Sequence, residues 1–416
     1  MLYLCRGLDF LLMKKLSQIP TSERIHIAFF GRCNSGKSSL INALTGQEVA
    51  IVSEIAGTTT DSVLKTIELP GVGATILIDT PGLDDNTPLG NQRKAQSLKA
   101  LDKTDIAVVL FHDNGTSIEE ALIAQLKARE IPIIGVISKC DTMQNRASLT
   151  AKVNDSIGSE PIALSATTNE GIDLLLSRLV ALSQHETRLI TEGLCSSGDM
   201  VVLVMPQDSQ APKGRLIKPQ VEVIRELLDR GCNTLCTTPE GLLSALNTLK
   251  TPPQLIITDS QVFTTVNEIV EEYRQQMGHP QLPLLTSFSI LFARYKGDID
   301  TFVEGGKKLL SLTPSSRILI AEACSHIPQN EDIGRVKLPH MLRNRIGEQL
   351  NIDIVGGNDF PTDLSQYDLV IHCGACMFNR RLVMSRVAQA KAQNIAITNY
   401  GIAIATLTGI IDKVVY

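Results

Sequence analysis

The chain has 416 residues, 43% of them hydrophobic, with a formal net charge of −5 and no tryptophan. At roughly 150 residues per domain that length calls for two or three domains. The acidic balance and an aromatic content of only 4% argue against a nucleic-acid partner held by bulk charge or base stacking.

No apolar run reaches the roughly 20 residues that a bilayer span needs, so no membrane partner is expected. The N-terminal "LDFLLMKK" is too short for a signal peptide and has its lysines on the wrong side. A cytoplasmic protein is expected, with Met13 an alternative start and residues 1–12 a dispensable extension. In a large cytosolic chain, clustered cysteines point to metal or catalysis rather than to disulfides. Cys5, Cys33, Cys140, Cys195, Cys232 and Cys236 are scattered and read as structural, whereas Cys324, Cys373 and Cys376 keep histidine company.

From Arg24 to about Gln184, short β-branched strands alternate with helical stretches. "RIHIAFFG", "ATILIDTPG", "IAVVLFHD", "IPIIGVISKCD" and "PIALSA" read as buried strands that end in polar loops. That rhythm predicts a mostly parallel sheet with helices on both faces. "GRCNSGKS" follows the first strand and opens a helix, which fits G-x-x-x-x-G-K-S/T in its required context. Gly31 and Gly36 let backbone N–H groups of Asn34, Ser35 and Ser39 curl around phosphate oxygens at a helix N-terminus. Lys37 is expected to reach the β- and γ-phosphates and Ser38 to coordinate Mg²⁺.

Four further pieces follow in order, each at a strand end. "AGTTTD" is a polar switch in which Thr59 is the best-placed metal ligand. In "LIDTPG", Asp79 suits the Mg²⁺ shell and the Gly82 N–H suits the γ-phosphate. "ISKCD" supplies Lys139 and Asp141. A carboxylate there accepts two N–H bonds from guanine, a donor pair that adenine lacks. "LSAT" supplies Ser165 and Ala166, whose backbone closes the base pocket. Each piece alone is weak, but five in order define a GTP site. Ser138 stands where Asn or Thr is usual. Leu83 follows Gly82, so no glutamine is placed to orient water and no arginine finger is evident.

"SQHETRLITEGLCSSGD" (Ser183 to Asp199) breaks the rhythm and reads as a linker. A second βα run follows: strand "MVVLVMP", helix "QVEVIRELLDRG", strand "NTLCTT", helix "PEGLLSALNTLK", strand "QLIITD" and helix "VFTTVNEIVEEYRQQ". "MGHPQLPLLTS", rich in Pro and Gly, reads as a second boundary. The third block carries the strands "RILIAEA", "DIVGG", "DLVIHCG" and "IAITNYG". The fold class is therefore α/β in three α/β blocks, 1–186, 187–282 and 283–416.

Two strands of the third block run into Cys and His. Cys324 and His326 form C-x-H, and His372, Cys373 and Cys376 form H-C-x-x-C. If the two strands are parallel in one sheet, both groups gather at their carboxyl ends, where open α/β sheets bind ligands. The helix "FNRRLVMSRVAQAKAQ" begins just after Cys376, and its N-terminus favours thiolate over thiol. Spacing alone leaves three readings: a [4Fe-4S] cluster with one exchangeable corner, a Cys₃His zinc site, or three inert cysteines.

"GRCNSGKSSLINAL" with "GTTTD" resembles the TrmE and Era branch of GTPases. In part of that branch the asparagine matching Asn34 helps to bind K⁺; the alternative is that Asn34 only shapes the loop. The five GTPase motifs together with C-x-H…H-C-x-x-C resemble the HydF family, the GTPase scaffold of [FeFe]-hydrogenase maturation. "HIAFFGRCNSGKSSLINALTGQEVAIVS", "IDTPGLDD" and "QAPKGRLIKPQ" extend that resemblance over nearly all of the chain after Thr21.

The resemblance implies a P-loop GTPase domain, a small dimerisation domain and an iron–sulfur cluster domain, in that order, and a homodimer. It implies that Cys324, Cys373 and Cys376 bind a [4Fe-4S] cluster, with His326 and His372 as candidate further ligands. It also implies that a transient diiron precursor arrives from radical-SAM maturases and passes to apo-[FeFe]-hydrogenase. A TrmE/Era-like GTPase acting on RNA or ribosomes, with a structural zinc site, is the competing expectation. The acidic charge and the lack of a basic C-terminal module weigh against it. An enzyme using the cluster as a Lewis acid would need an acid/base set that the sequence does not display.

Overall fold

"IHIAFFG" is apolar at nearly every position, the pattern of a parallel strand covered on both faces. It forms β1 (Ile25–Gly31), buried from His26 onward. The computed structural model describes residues 23–46, 54–55, 63–84, 97, 99–112, 117–143, 146–183, 188–207, 216–278, 281–322, 332–357, 359–375 and 378–416. Thr59, Cys324, His326 and Cys376 lie outside the described residues, as do residues 1–12.

These residues divide into two units, 1–187 and 188–416. In the first, α1 (Lys37–Gly46) follows β1. Then come β2 (Glu54–Ile55), β3 (Val63–Leu69), β4 (Gly73–Asp79), β5 (Ile106–Phe111), α2 (Ser117–Ala128), β6 (Ile133–Ser138), α3 (Arg146–Ile157), β7 (Ile162–Leu164) and α4 (Ile172–Ser183). The sheet order is β2-β3-β4-β1-β5-β6-β7. β4, β1, β5, β6 and β7 are parallel, while β3 pairs antiparallel with β4 from Val63↔Asp79 to Leu69↔Gly73. Leu40, Ile41 and Leu44 of α1 and Leu175 and Leu179 of α4 pack on one face. Leu122 and Leu126 of α2 and Leu149 and Val153 of α3 pack on the other. Each such fully buried side chain contributes roughly 1.5–3 kcal/mol.

The second unit holds two four-stranded parallel sheets. The first contains β8 (Met200–Val204), β9 (Asn233–Thr237), β10 (Leu255–Thr258) and β11 (Leu284–Ser287), in the order β11-β10-β8-β9. Between them run α5 (Lys218–Asp229), α6 (Leu242–Asn247) and α7 (Phe263–Met277). Next come α8 (Phe288–Lys296) and α9 (Ile299–Lys308). The second sheet contains β12 (Arg317–Ala321), β13 (Asn351–Val355), β14 (Leu369–His372) and β15 (Ala396–Asn399), in the order β13-β12-β14-β15. It is covered by α10 (Leu338–Ile346), α11 (Arg380–Ala392) and α12 (Tyr400–Leu407).

Three features differ from the sequence reading. β11 lies beyond the break expected at 282, yet Leu284–Ser287 pairs with Leu255–Thr258 and completes the first sheet of this unit. The two sheets also share one core, in which Val202 and Ile256 join Leu319, Val370 and Ile397. α8 is buried between them because it is apolar almost all round. Ile290 and Ala293 enter the shared core, and Leu291 and Phe292 enter a second cluster.

The third difference corrects the linker. From Arg188 onward the stretch read as a linker is packed, with Ile190, Leu194 and Cys195 buried. The Glu226 carboxylate on α5 accepts from Ile190 N (2.6 Å) and Thr191 N (2.8 Å). Arg230 donates to the carbonyls of Thr191 (2.9 Å) and Cys195 (2.6 Å).

Candidate functional site

The loop between β1 and α1 is shaped by backbone that few side chains tolerate. Asn34 has φ 58° and Gly36 has φ 92°, in the left-handed region that favours Gly and Asn. Lys37 opens α1 and is buried. Its Nζ donates to the carbonyls of Gly31 (3.1 Å) and Arg32 (2.8 Å) across the loop. Burial pulls its pKa down from the ordinary lysine value, opposed by Asp79, Cys33 and Asp84. Ser35 Oγ is buried without a hydrogen-bond partner among the described residues.

Ser38 Oγ donates to Asp79 Oδ2 at 2.6 Å. The first residue of α1 after the lysine and the last residue of β4, the two expected Mg²⁺ ligands, therefore meet. Ser39 is exposed beside them. Gly82 is required by space: a Cβ there would lie 2.3 Å from Cys33 Sγ and 2.8 Å from Cys33 N. Two contacts here were not legible beforehand. Asp84 Oδ1 accepts from Cys33 N at 2.6 Å and Leu83 N donates to Gly31 O at 3.2 Å, so the segment after "DTPG" closes onto the loop. Partial burial pushes the Asp84 carboxyl up, but the Cys33 bonds outweigh it and hold it below the usual range. Arg32 makes a two-point ion pair with Glu119 of α2, at 2.8 and 3.1 Å, and Glu119 is fully buried.

The two loops expected to hold the base are brought together. Ser138 pairs with Leu164 in register, and Cys140 N donates to Leu164 O at 3.2 Å. Ser138 Oγ is buried and donates back to Phe111 O on β5 at 3.2 Å, so this hydroxyl braces the sheet. Lys139 has φ 54°, and Lys139 and Asp141 are both exposed at the strand end. Ser165 N donates to Glu170 O at 3.0 Å, which orders the turn carrying Ala166.

In the second unit, β12 and β14 are adjacent and parallel, with Ala321 opposite His372. Cys373 N donates to Ala321 O at 2.9 Å. The two strands that Cys324 and Cys373 follow in the sequence therefore end side by side. They end at the switch point of the sheet, since β13 lies beyond β12 and β15 beyond β14. After Cys373 the chain turns through Ala375, at φ 52°, and Ala375 N donates to Cys373 Sγ at 3.4 Å. α11 then starts at Arg380, capped by Asn379, whose side chain accepts from Leu382 N.

His372 is corrected as a ligand candidate. Arg386 Nη1 meets its Nε2 at 2.9 Å, and its Nδ1 meets Cys373 O at 2.8 Å. Arginine can only donate and a carbonyl can only accept. Both ring nitrogens are thereby committed, and no lone pair remains for a metal. Burial first, then the Arg386 cation, push this imidazole down to about 3, against the Cys373 carbonyl that pulls the other way. Arg386 is held in turn by Gly357 O (2.6 Å) and stacks near Phe360 and Phe378, 4.6 and 4.9 Å from their ring centres.

Lys296, the last residue of α8, is also buried. Its Nζ donates to Ala375 O (2.9 Å) and Phe378 O (3.1 Å), the carbonyls that bracket residues 376–377. The only early signal for it was a cation closing the apolar helix "FSILFARYK". Among the described residues no group of three or more His, Cys, Asp or Glu is gathered to hold a metal ion. Among them, too, no helix is long and apolar enough to cross a membrane.

Residues 300–416 match the family model described as "Hydrogen maturase F tetramerization domain". Residues 190–297 match "Hydrogen maturase F dimerization domain". Residues 26–139 match "50S ribosome-binding GTPase". Among curated proteins, the tRNA modification GTPase MnmE of Nitrosomonas eutropha is 31% identical over 189 residues, covering 43% of this chain and 41% of that protein. MnmE of Laribacter hongkongensis is 38% identical over 159 residues, covering 37% and 33%. The chain thus spans well under half the length of these relatives. Among solved structures, Era in complex with MgGDPNP and nucleotides 1506–1542 of 16S ribosomal RNA is 21% identical. Its TM-score is 0.33, and the match covers 51% of this chain and 91% of that one. The G domain of T. maritima FeoB is 21% identical with TM-score 0.30, covering 39% and 100%.

Proposed function

The chain belongs to the hydrogen maturase F family, and on that premise we propose that it is a GTP-hydrolysing scaffold and carrier of hydrogenase maturation. It binds a [4Fe-4S] cluster and delivers a diiron precursor to apo-[FeFe]-hydrogenase, after receiving it from radical-SAM maturases. It works as a homodimer in the cytoplasm. The first block acts as a P-loop GTPase domain (1–186); the dimerisation domain runs past 282 to take in β11, and the cluster domain follows it.

In the GTPase domain, Lys37 supplies the buried cation for the β- and γ-phosphates, in place of the two loop carbonyls it now serves. Ser38 and Asp79, already 2.6 Å apart, would hold Mg²⁺ with Thr59. The bound ion neutralises charge that develops on the phosphate oxygens. The backbone of Gly31, Asn34, Ser35, Gly36, Ser39 and Gly82 cradles the phosphates. Lys139, Asp141, Ser165 and Ala166 hold the base. Asn34, exposed at the tip of the loop, binds K⁺, which stands in for the missing arginine and glutamine.

The residues around Cys373 fit an iron–sulfur group. The Ala375 N–H points at its sulfur, the start of α11 follows closely, and a buried lysine braces the turn that leads to Cys376. Cys324, Cys373 and Cys376 would hold three irons and leave one corner exchangeable; His326 remains a candidate for it. A bound cluster supplies that open iron site for the precursor. The observation that carries this reading is the Ala321↔His372 register, which ends side by side the two strands that Cys324 and Cys373 follow in the sequence. Anaerobic purification with iron and sulfide analysis tests it. About four iron and four sulfide per chain support it, and a colourless protein with one zinc per chain overturns it.

A further inference from the structure

Three neighbouring strands of the second sheet end at the same level. Ala321 lies opposite His372, and His372 lies opposite Asn399. The residues that follow these three strand ends are Glu322, Cys373 and Tyr400, the last of which opens α12. Glu322 is buried and engaged, its Oε2 receiving Arg335 Nε and Nη2 at 2.9 Å each. Tyr400 is not engaged. Its Oη is buried and has no hydrogen-bond partner among the described residues.

That hydroxyl is given room at the expense of a neighbour's side chain. A Cβ on Gly334 would lie 2.0 Å from Tyr400 Oη and 2.6 Å from Glu322 Oε1. Burial, then the neighbouring Cys373, Glu322 and Asp332, push the phenol well above its ordinary pKa, so it stays a neutral O–H donor. A phenylalanine would fill the same ring space. Burying a hydroxyl that faces no acceptor is unfavourable unless something else accepts from it.

We propose that the Tyr400 hydroxyl donates a hydrogen bond to sulfur of the iron–sulfur group held at Cys373. The inference rests on the cluster reading given above and adds to it a group that tunes the cluster without ligating it. Hydrogen bonds to cluster sulfurs stabilise the reduced, more negative state and raise the reduction potential.

The test is Tyr400→Phe in the full chain, metal-free and after anaerobic reconstitution with ferrous iron and sulfide. The expected result has three parts. The metal-free variant melts at the wild-type temperature, because the hydroxyl has no acceptor among the described residues to lose. Iron and sulfide per chain equal those of wild type. The midpoint potential, read by redox titration with EPR detection, falls in the variant. Equal midpoints overturn the proposal and leave the cluster reading standing. A lower melting temperature of the metal-free variant also overturns it, since the hydroxyl would then have a structural acceptor. A wild-type chain that takes up no iron and sulfide overturns the cluster reading, and the proposal with it.

Discussion

Lys296→Met removes one buried ammonium and keeps most of its alkyl volume, so its effect isolates the two bonds that brace the cysteine turn. The lysine is 3% exposed and donates to Ala375 O and Phe378 O at 2.9 and 3.1 Å. Ala375 O keeps a bond from Phe378 N at 3.1 Å, so the loss falls on Phe378 O, and a carbonyl left unpaired in the interior costs about 1–3 kcal/mol. Relief from burying a cation offsets part of that. A net loss of about 1–2 kcal/mol follows, and for a unit of this size each kcal/mol lowers the melting temperature by roughly 2–4 °C. The transition of the second unit should therefore fall by about 2–8 °C in scanning calorimetry of the metal-free full chain. The transition of the GTPase unit should not move. A shift of the second unit below about 2 °C would refute the bracing role, because the carbonyls would then be satisfied without the lysine.

Lys37→Ala should abolish GTP hydrolysis and leave iron loading intact; equal loss of both would mean that the two units fold as one. Hydrolysis should run faster in K⁺ than in Na⁺, and Asn34→Ala should remove the difference; identical rates in both salts take Asn34 out of that role. The Asp298 carboxyl caps α9 through Thr301 and accepts from Lys391 at 2.8 Å. Partial burial raises it, but those bonds prevail and hold it at about 2, below the ordinary 3.8. A depressed carboxyl stabilises above its unfolded value and loses that stability as pH falls through its folded one. The advantage of wild type over Asp298→Asn, about 1–2 kcal/mol after screening, should thus be full above pH 4 and vanish between 3.8 and 2 in urea titrations. An advantage independent of pH would rule out the ionised cap as its source.

Much of the architecture around the expected GTP site was legible because it is local. A strand end, a glycine turn and a helix start fix Gly31, Lys37 and Ser38 within a few residues, and Asp79 and Asp141 each stand at their own strand end. The pairing of β12 with β14 was legible for a related reason, since apolar runs that stop at Cys and His mark where the strands stop. The supports of that end were not legible. Lys296 meets its carbonyl 79 residues later, and Arg386 meets His372 from another element. His372 itself looked like a ligand in H-C-x-x-C, and only its two committed nitrogens remove it. The packed stretch from Arg188 read as a linker because the partner that orders it, Glu226, lies 36 residues beyond Ile190. β11 was hidden for the same reason: a strand of four residues after Pro283 is defined by its neighbour β10 rather than by its own pattern.

The central claim is that Cys324, Cys373 and Cys376 hold one [4Fe-4S] cluster. EPR of the dithionite-reduced, anaerobically reconstituted chain, wild type beside each single Cys→Ser variant, tests it most directly. Wild type should give the fast-relaxing signal of a reduced four-iron cluster, with stoichiometric iron and sulfide, and all three variants should lose it or show it markedly depleted. A wild-type chain with no such signal and one tightly bound zinc, or a cluster that survives Cys373→Ser unchanged, would contradict it.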